Sequence, residues 1–281
     1  MDLLKDQYPS DNETEDSENE PVLQHLPDQV LDKFHISPNI GKYTQNEMNS
    51  VARLSATRAA KWTSFAFIEM RPTVQQRRTL DELTLKLATK LQRPGLEFQP
   101  LHISDLGSPL PLHVSLSANV EFSTAAEVDA FAQMLQIEVL QRIAGPFDVA
   151  FEPCLKMYEN AERDALFLAL DLEPELKNGP LFQLWQAVRE SLDFCRRSEH
   201  DQDDSNAVST RTWGHDRSHM SLAKSFCAKA SYSSTIVDEL NTVLADTPVD
   251  PAILDTLKFQ CRGIKLTKQR SNLWIPFSVH F

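Results

Sequence analysis

The sequence predicts an α+β protein built from two similar halves. Strand-like and helix-like patterns are mixed within each half, and one short motif of histidine and serine occurs once in each. The chain has only seven glycines and contains neither GxGxxG nor GxxxxGK[ST]. These absences argue against a nucleotide-binding α/β fold.

The first half is predicted to contain two helices among its strands. Leucines 80, 83, 87 and 91 recur with helical spacing, and the capping box Thr124–Glu127 opens a second helix. Apolar and aromatic runs predict the strands Trp62–Glu69, Leu112–Ser117, Phe147–Phe151 and Ala165–Leu172.

The second half repeats this mixture. Helices are predicted at Leu181–Arg197 and Thr235–Ala245, and a strand at Ser218–Ala223. Two further apolar runs, Leu257–Leu266 and Asn272–Phe277, predict a terminal hairpin.

The charge is distributed unevenly along the chain. The 28 Lys and Arg against 40 Asp and Glu give a net charge of −12, of which residues 1–50 contribute −8 and residues 198–210 contribute −4. We therefore expect a disordered acidic tail at 1–50, a folded domain at 51–281 and an acidic flexible loop at 198–210. The stretch Lys258–Phe281 holds five basic residues and no acid. It predicts either a local basic surface or a solvated pair of strands.

Several classes of protein are disfavoured by composition. No apolar run approaches the roughly 18–20 residues of a membrane helix, and the acidic N-terminus does not resemble a signal peptide. Cys154, Cys195, Cys227 and Cys261 are far apart in sequence, so we expect neither a CxxC redox site nor a zinc knuckle. A reducing intracellular compartment is the simpler expectation.

The repeated motif carries the chemistry. His113-Val-Ser115-Leu-Ser117 is echoed 106 residues later (219 − 113) by His219-Met-Ser221-Leu-Ala223. Because side chains alternate along a strand, His113 and Ser115 share one face, as do His219 and Ser221. The residues between them would form an apolar stripe on the other face.

Two imidazoles that face one cleft can perform concerted acid–base catalysis, since histidine titrates near neutral pH. Serine hydroxyls beside them can donate to the non-bridging oxygens of a phosphate. In-line displacement at phosphorus needs these groups and no metal. A serine hydrolase is disfavoured because no GxSxG elbow is present. A metal site is disfavoured because two histidines supply too few ligands and no acid repeats beside them in sequence.

The tandem motifs resemble those of the 2H phosphoesterase superfamily. Four flanking segments are similar to the U6 snRNA phosphodiesterase family of the Usb1/Mpn1 type, in a fungal version. These segments are Lys61–Pro72, Ser104–Ser117, Asn160–Leu168 and Phe259–Lys265. The resemblance covers roughly residues 61–281 and implies a 2H fold of two pseudo-symmetric lobes, each with an antiparallel sheet and helices, around an active-site cleft.

The resemblance also implies an activity. Members are metal-independent 3′–5′ exoribonucleases that trim the oligo(U) end of U6 snRNA, without a cofactor, by attack of a 2′-hydroxyl on the adjacent phosphate. The remaining end is a 2′,3′-cyclic phosphate or, if it is opened, a 3′-phosphate. His113 and His219 would be the general acid and base in an order that the sequence leaves open, and Ser115 and Ser221 would hold the phosphate.

Further implications concern substrate binding and location. The family stacks a base on the aromatic residue six positions before the second histidine, which is Trp213 here. Where the family often has Arg and an aromatic residue after the two motifs, this chain has Ala118 and Lys224, and Lys224 is a candidate phosphate contact. The implied partner is a single-stranded RNA 3′ end, the location is nuclear, and a monomer is the default.

Two alternatives stay open at this point. One is a 2H cyclic phosphodiesterase that acts on small or tRNA-derived cyclic phosphates, which a small closed pocket would favour. The other is a non-catalytic RNA-binding protein with vestigial histidines, against which the two intact motifs argue.

Overall fold

The structure is a computed structural model that describes residues 62–93, 96–160, 165–197, 214–226, 235–268 and 271–277. The predicted tail at 1–50, the predicted loop at 198–210 and Trp213 lie outside the described residues. The domain boundaries therefore stay predictions.

The described residues form one large antiparallel sheet and two small ones. The large sheet has the order β12-β11-β2-β4-β9-β8-β7, with β3 paired to β9, and the small sheets are β1-β5 and β10-β6. The strands are β1 Trp62–Ser64, β2 Ala66–Met70, β3 Gln99–Pro100, β4 Leu112–Ser115, β5 Val120–Phe122, β6 Phe147–Val149, β7 Phe151–Glu159, β8 Ala165–Leu172, β9 His219–Phe226, β10 Phe259–Cys261, β11 Gly263–Lys268 and β12 Ser271–Pro276.

Helices connect these strands. They are α1 Val74–Lys90, α2 Ala125–Arg142, α3 Pro174–Leu176, α4 Phe182–Arg197, α5 Ile236–Ala245 and α6 Pro251–Leu257. A π-helical turn, Lys177–Leu181, joins α3 to α4, and a 3₁₀ turn, His215–Arg217, precedes β9. Among the described helices, none is both long and apolar enough to span a membrane.

One side of the large sheet is built from strands at both ends of the described chain. β12, β11, β2 and β4 make one side of the large sheet, so the C-terminal hairpin completes the lobe that begins at β2. The other side is β9, β8 and β7, which lie in sequence between strands β4 and β11 of the first side. The lobes are therefore pseudo-symmetric in space but are not two consecutive halves of the chain.

Local sequence signals explain most elements. In α1, Leu80, Leu83 and Leu87 are buried as their spacing predicts. The Thr124 side chain accepts a hydrogen bond from the Glu127 backbone N–H at 3.2 Å, which satisfies one of the free donors at the start of α2. The hairpin near the C-terminus is also confirmed, as β11 and β12.

Three elements differ from expectation. The predicted strand Trp62–Glu69 breaks at Phe65, so that β1 pairs with β5 while β2 joins the large sheet. The predicted strand Phe147–Phe151 divides into β6, which pairs with β10, and the first residue of β7, which continues to Glu159. Pro153 is tolerated within β7 because this strand ends the sheet order. Helix α6 was not predicted, since its seven residues are too few for a periodic pattern.

The basic C-terminal stretch does not form one basic surface in the described residues. Lys265 is buried against Glu69, Lys268 pairs with Asp129, and Lys258 lies 3.9 Å from Asp148. Lys265 and Lys268 also point to opposite faces, because side chains alternate along β11 and these two residues are three positions apart.

Helix α1 offers a matched test of this packing. Leu80 is fully buried and Leu85 is 72% exposed on the same helix. Leu80→Ala is expected to lower the free energy of unfolding by about 2–5 kcal/mol, since it leaves a cavity. Leu85→Ala is expected to change it by less than about 0.5 kcal/mol. Urea unfolding measures both, and equal effects would contradict the packing described.

Candidate active site

The two H-x-S motifs lie on neighbouring strands at the centre of the large sheet. β4 and β9 are antiparallel and pair at Val114 and Met220, which are both fully buried. Continuing this register by one residue places His113 beside Ser221 and Ser115 beside His219. Each histidine therefore neighbours the serine of the other motif, and all four side chains lie on one face of the sheet, here called the cleft face.

His113 lies in an apolar environment. Its ring contacts Phe65 and Phe67 edge-on, with centroids 5.7 and 5.8 Å away. Burial and, as a smaller contribution, the charge of the nearby His219 lower the pKa of His113 to about 4. The imidazole of His113 is thus neutral at physiological pH and can accept a proton.

His219 lies in a more polar environment. Its Nδ1 is 2.7 Å from the backbone oxygen of Arg217. Because a carbonyl oxygen only accepts hydrogen bonds, Nδ1 carries the hydrogen and Nε2 is the nitrogen that can gain or lose a proton. The Tyr158 ring stacks on the imidazole, with centroids 4.0 Å apart and planes 10° apart.

The pKa of His219 is also lowered. Burial is the main cause, and the positive charge of Lys177 acts in the same direction. The Arg217 carbonyl and the Asp171 carboxylate oppose the shift by favouring the charged ring. The protonated state therefore has two stabilising neighbours at His219 that it lacks at His113.

A carboxylate lies opposite each histidine on the neighbouring strand. Glu69 on β2 is the register partner of His113, and Asp171 on β8 is the register partner of His219. Both are buried, with 7% and 1% of their side chains exposed. No acid is repeated beside the two motifs in sequence. Each histidine nevertheless has an acid beside it in the folded sheet, because the acid comes from the adjacent strand.

Each carboxylate is bound by two cations. Asp171 pairs with Lys156 and Lys177, and Glu69 pairs with Arg71 and with Lys265, whose Nζ is 3.0 Å away. Burial raises the pKa of Asp171, but the hydrogen bonds and charges of the two lysines outweigh it, and the net shift is downward. Asp171 is therefore ionised at neutral pH.

Lys177 also ties the sheet to the turn before β9. Its Nζ contacts Asp171 and donates to the backbone oxygen of Asp216 at 3.0 Å. The next residue, Arg217, supplies the carbonyl that holds His219 Nδ1. Lys177 thus fixes the position of the turn that orients His219.

Ser115 and Ser221 are partly exposed on the cleft face. Ser117, the last residue of the first motif, has a different environment. It is buried, and its Oγ accepts a hydrogen bond from the Ala66 backbone N–H at 3.0 Å. Only the first serine of that motif is therefore placed to meet a substrate.

A β-bulge determines where Lys224 lies. Ser221 pairs with Ala169 and Ala223 with Leu168, so Leu222 is an extra residue on β9. This insertion reverses the alternation and puts Lys224, partly exposed, on the same face as His219 and Ser221. Strict alternation would have put it on the opposite face.

Trp213 lies outside the described residues, so its predicted stacking role stays a prediction. His215, two residues after it, lies in the 3₁₀ turn before β9 and packs against Phe182 and Trp185, with ring centroids 4.8 and 5.5 Å away.

Metal ligands were considered as well. Within the described ranges, no group of three or more His, Cys, Asp or Glu side chains is placed to hold a metal ion.

The family described as HVSL, uncharacterised conserved protein, matches residues 24–272 of the chain. No curated protein matches the sequence. The remaining likenesses are to solved structures.

Kluyveromyces marxianus Usb1 matches at 23% identity with a TM-score of 0.63, over 76% of this chain and 97% of that chain. The same protein solved with uridine monophosphate gives the same values over 98% of that chain. Escherichia coli LigT with 3′-AMP matches at 14% identity, over 78% and 96%, with a TM-score of 0.38. The structural likeness to Usb1 confirms the predicted α+β fold.

Lys177 can be tested by its effect on His219. Lys177→Met is expected to raise the pKa of His219, because it removes a positive charge beside the ring and leaves Asp171 less neutralised. NMR titration of the His219 ring measures the shift. Lys156→Met is the matched control, since it also removes a cation from Asp171 but does not itself act on His219. Its rise should be smaller, and a fall in the Lys177→Met variant would contradict this description.

Proposed function

Because this chain belongs to the HVSL family, whose name spells its residues His113 to Leu116, we propose that it is a metal-independent phosphodiesterase of RNA 3′ ends. The observation that carries the proposal is the placement of two imidazoles and two hydroxyls on one face of the sheet. The finer proposal is a 3′–5′ exoribonuclease that trims the oligo(U) end of U6 snRNA. The Kluyveromyces Usb1 structure with bound uridine monophosphate supports it, as a property of that protein.

The proposed step is an in-line displacement. The 2′-oxygen of the penultimate nucleotide bonds to the adjacent phosphorus, and its proton passes to His113. The bond from phosphorus to the 5′-oxygen of the terminal nucleoside breaks, and His219 supplies the proton to that oxygen. The products are the nucleoside and an RNA that ends in a 2′,3′-cyclic phosphate, which water can open to a 3′-phosphate.

The two environments favour this division of roles. His113, among phenylalanines, is the poorer site for a positive charge and suits the general base. His219, whose Nδ1–H donates to the Arg217 carbonyl, is the better site and suits the general acid. Ser115 and Ser221 would donate to the non-bridging oxygens, where charge develops.

The proposal extends to partners and location. A single-stranded RNA 3′ end is the proposed partner, with Trp213 stacking a base, and U6 snRNA places the protein in the nucleus and in mRNA splicing. No cofactor is part of the proposed step, and a monomer suffices because one chain supplies all four groups.

The first test uses a 5′-labelled RNA that ends in several uridines, incubated in EDTA. Stepwise shortening from the 3′ end is expected, and the end groups distinguish a cyclic from an open phosphate. His113→Ala and His219→Ala should each lower the rate by at least about 10²-fold, because each removes a proton-transfer group. RNA binding and thermal unfolding of the variants are the controls.

Other outcomes of this assay would favour the alternatives. Hydrolysis of a nucleoside 2′,3′-cyclic phosphate without shortening of the RNA would indicate a cyclic phosphodiesterase. RNA binding with neither activity would indicate a non-catalytic protein.

The pH dependence of kcat/KM tests the division of roles. The reaction needs neutral His113, whose pKa is lowered to about 4, and protonated His219, whose pKa is lowered from its ordinary value by burial. The rate is therefore expected to rise with pH up to about pH 4 and to fall about tenfold per pH unit above the pKa of His219. A rate that still increases between pH 7 and 8 would be inconsistent with this assignment.

A further inference from the structure

Phe167 is an exception in its strand. All eight residues of β8 are described, and seven of them are buried while Phe167 is partly exposed. Its ring is not among the side chains that pack against the hydrophobic core. An aromatic side chain that is left out of an adjacent core forgoes the stabilisation of burial, so folding alone does not account for it.

Phe167 lies on the cleft face. Along β8, Phe167, Ala169 and Asp171 share a face, and Ala169 and Asp171 are the register partners of Ser221 and His219. Phe167 is therefore two residues along β8 from Ala169, the register partner of Ser221.

Its two register partners complete a row of three side chains. Lys224 lies opposite Phe167 on β9, brought there by the bulge at Leu222, and Tyr158 lies opposite it on β7. Tyr158 also stacks on His219, across the small side chain of Ala169. The row thus contains two aromatic rings and a cation, and one of the rings, Tyr158, contacts the imidazole of His219.

We infer that Phe167 and Lys224 form a subsite for the penultimate nucleotide of the RNA, with its base stacked on Phe167 and its 5′-phosphate at Lys224. Aromatic stacking combined with a nearby cation is how proteins hold single-stranded RNA without reading its sequence. The inference rests on the proposed function, from which it takes the identity of the substrate.

The register selects the penultimate nucleotide over the terminal one. Lys224 and Phe167 lie beyond Ser221 along the strand, and Ser221 is beside His113. His113 is the proposed acceptor of the 2′-proton of the penultimate nucleotide. His219, at the opposite end of the motif, faces the leaving nucleoside.

The test compares hexauridylate with two RNAs that lack one base, at the terminal or at the penultimate ribose. Phe167→Ala is expected to lower kcat/KM on hexauridylate by between roughly 5-fold and 150-fold. On the RNA without its terminal base, the variant should lose the same factor in kcat/KM relative to the wild type. On the RNA without its penultimate base, the variant and the wild type should have equal kcat/KM. Phe194→Ala is the matched control, because that ring is 52% exposed on α4, outside the cleft face.

Lys224 is tested with two dinucleotides. Lys224→Met should slow the turnover of pUpU more than that of UpU, because only pUpU carries the phosphate that Lys224 is inferred to hold. Equal effects on UpU and pUpU would overturn the phosphate contact. A Phe167→Ala loss that persists without the penultimate base, or that disappears without the terminal one, would overturn the placement of the base.

Binding separates this inference from the proposed function. The dissociation constant is measured by fluorescence anisotropy for hexauridylate with a 2′-deoxy penultimate ribose, which cannot react. Phe167→Ala should weaken this binding, and removing the penultimate base should abolish the difference between the variant and the wild type. If the wild type fails to shorten hexauridylate, the proposed function fails while this measurement still decides the subsite. Equal binding by the variant and the wild type would overturn the subsite whatever the activity.

Discussion

The antiparallel contact between β4 and β9 is the constraint on which the site depends. Val114 and Met220 pair at this contact and are completely buried, so the register is held by the core below the sheet. A shift of one residue would turn either histidine away from the cleft face. The geometry of the site is therefore fixed by apolar side chains that never meet a substrate.

The two lobes supply the same chemical groups in different environments. Each histidine has a serine two residues later on its own strand and a buried carboxylate on the next strand. The differences lie around these groups: phenylalanine edges surround His113, whereas a tyrosine face, a carbonyl and a lysine surround His219. A symmetric frame thus holds two imidazoles in unlike environments.

Much of this arrangement follows from local sequence. The alternation of residues in each H-x-S motif predicts a shared face for His113 and Ser115, and the leucine spacing predicts helix α1. Glu69 and Asp171 were missed because a single sequence does not reveal which strands are neighbours or in what register. Lys224 reaches the cleft face only through the bulge at Leu222, and Phe167 stands in a continuous apolar run that gives no sign of its exposure. These are properties of strand pairing and not of local propensity.

The buried ion pairs have an electrostatic consequence. Glu69 with Arg71 and Lys265 sums to +1, as does Asp171 with Lys156 and Lys177. A group of net positive charge thus lies beside each histidine on the cleft face of a chain whose net charge is −12. At physiological salt, charges are screened beyond about 8 Å, so a polyanion meets attraction only where it enters the cleft.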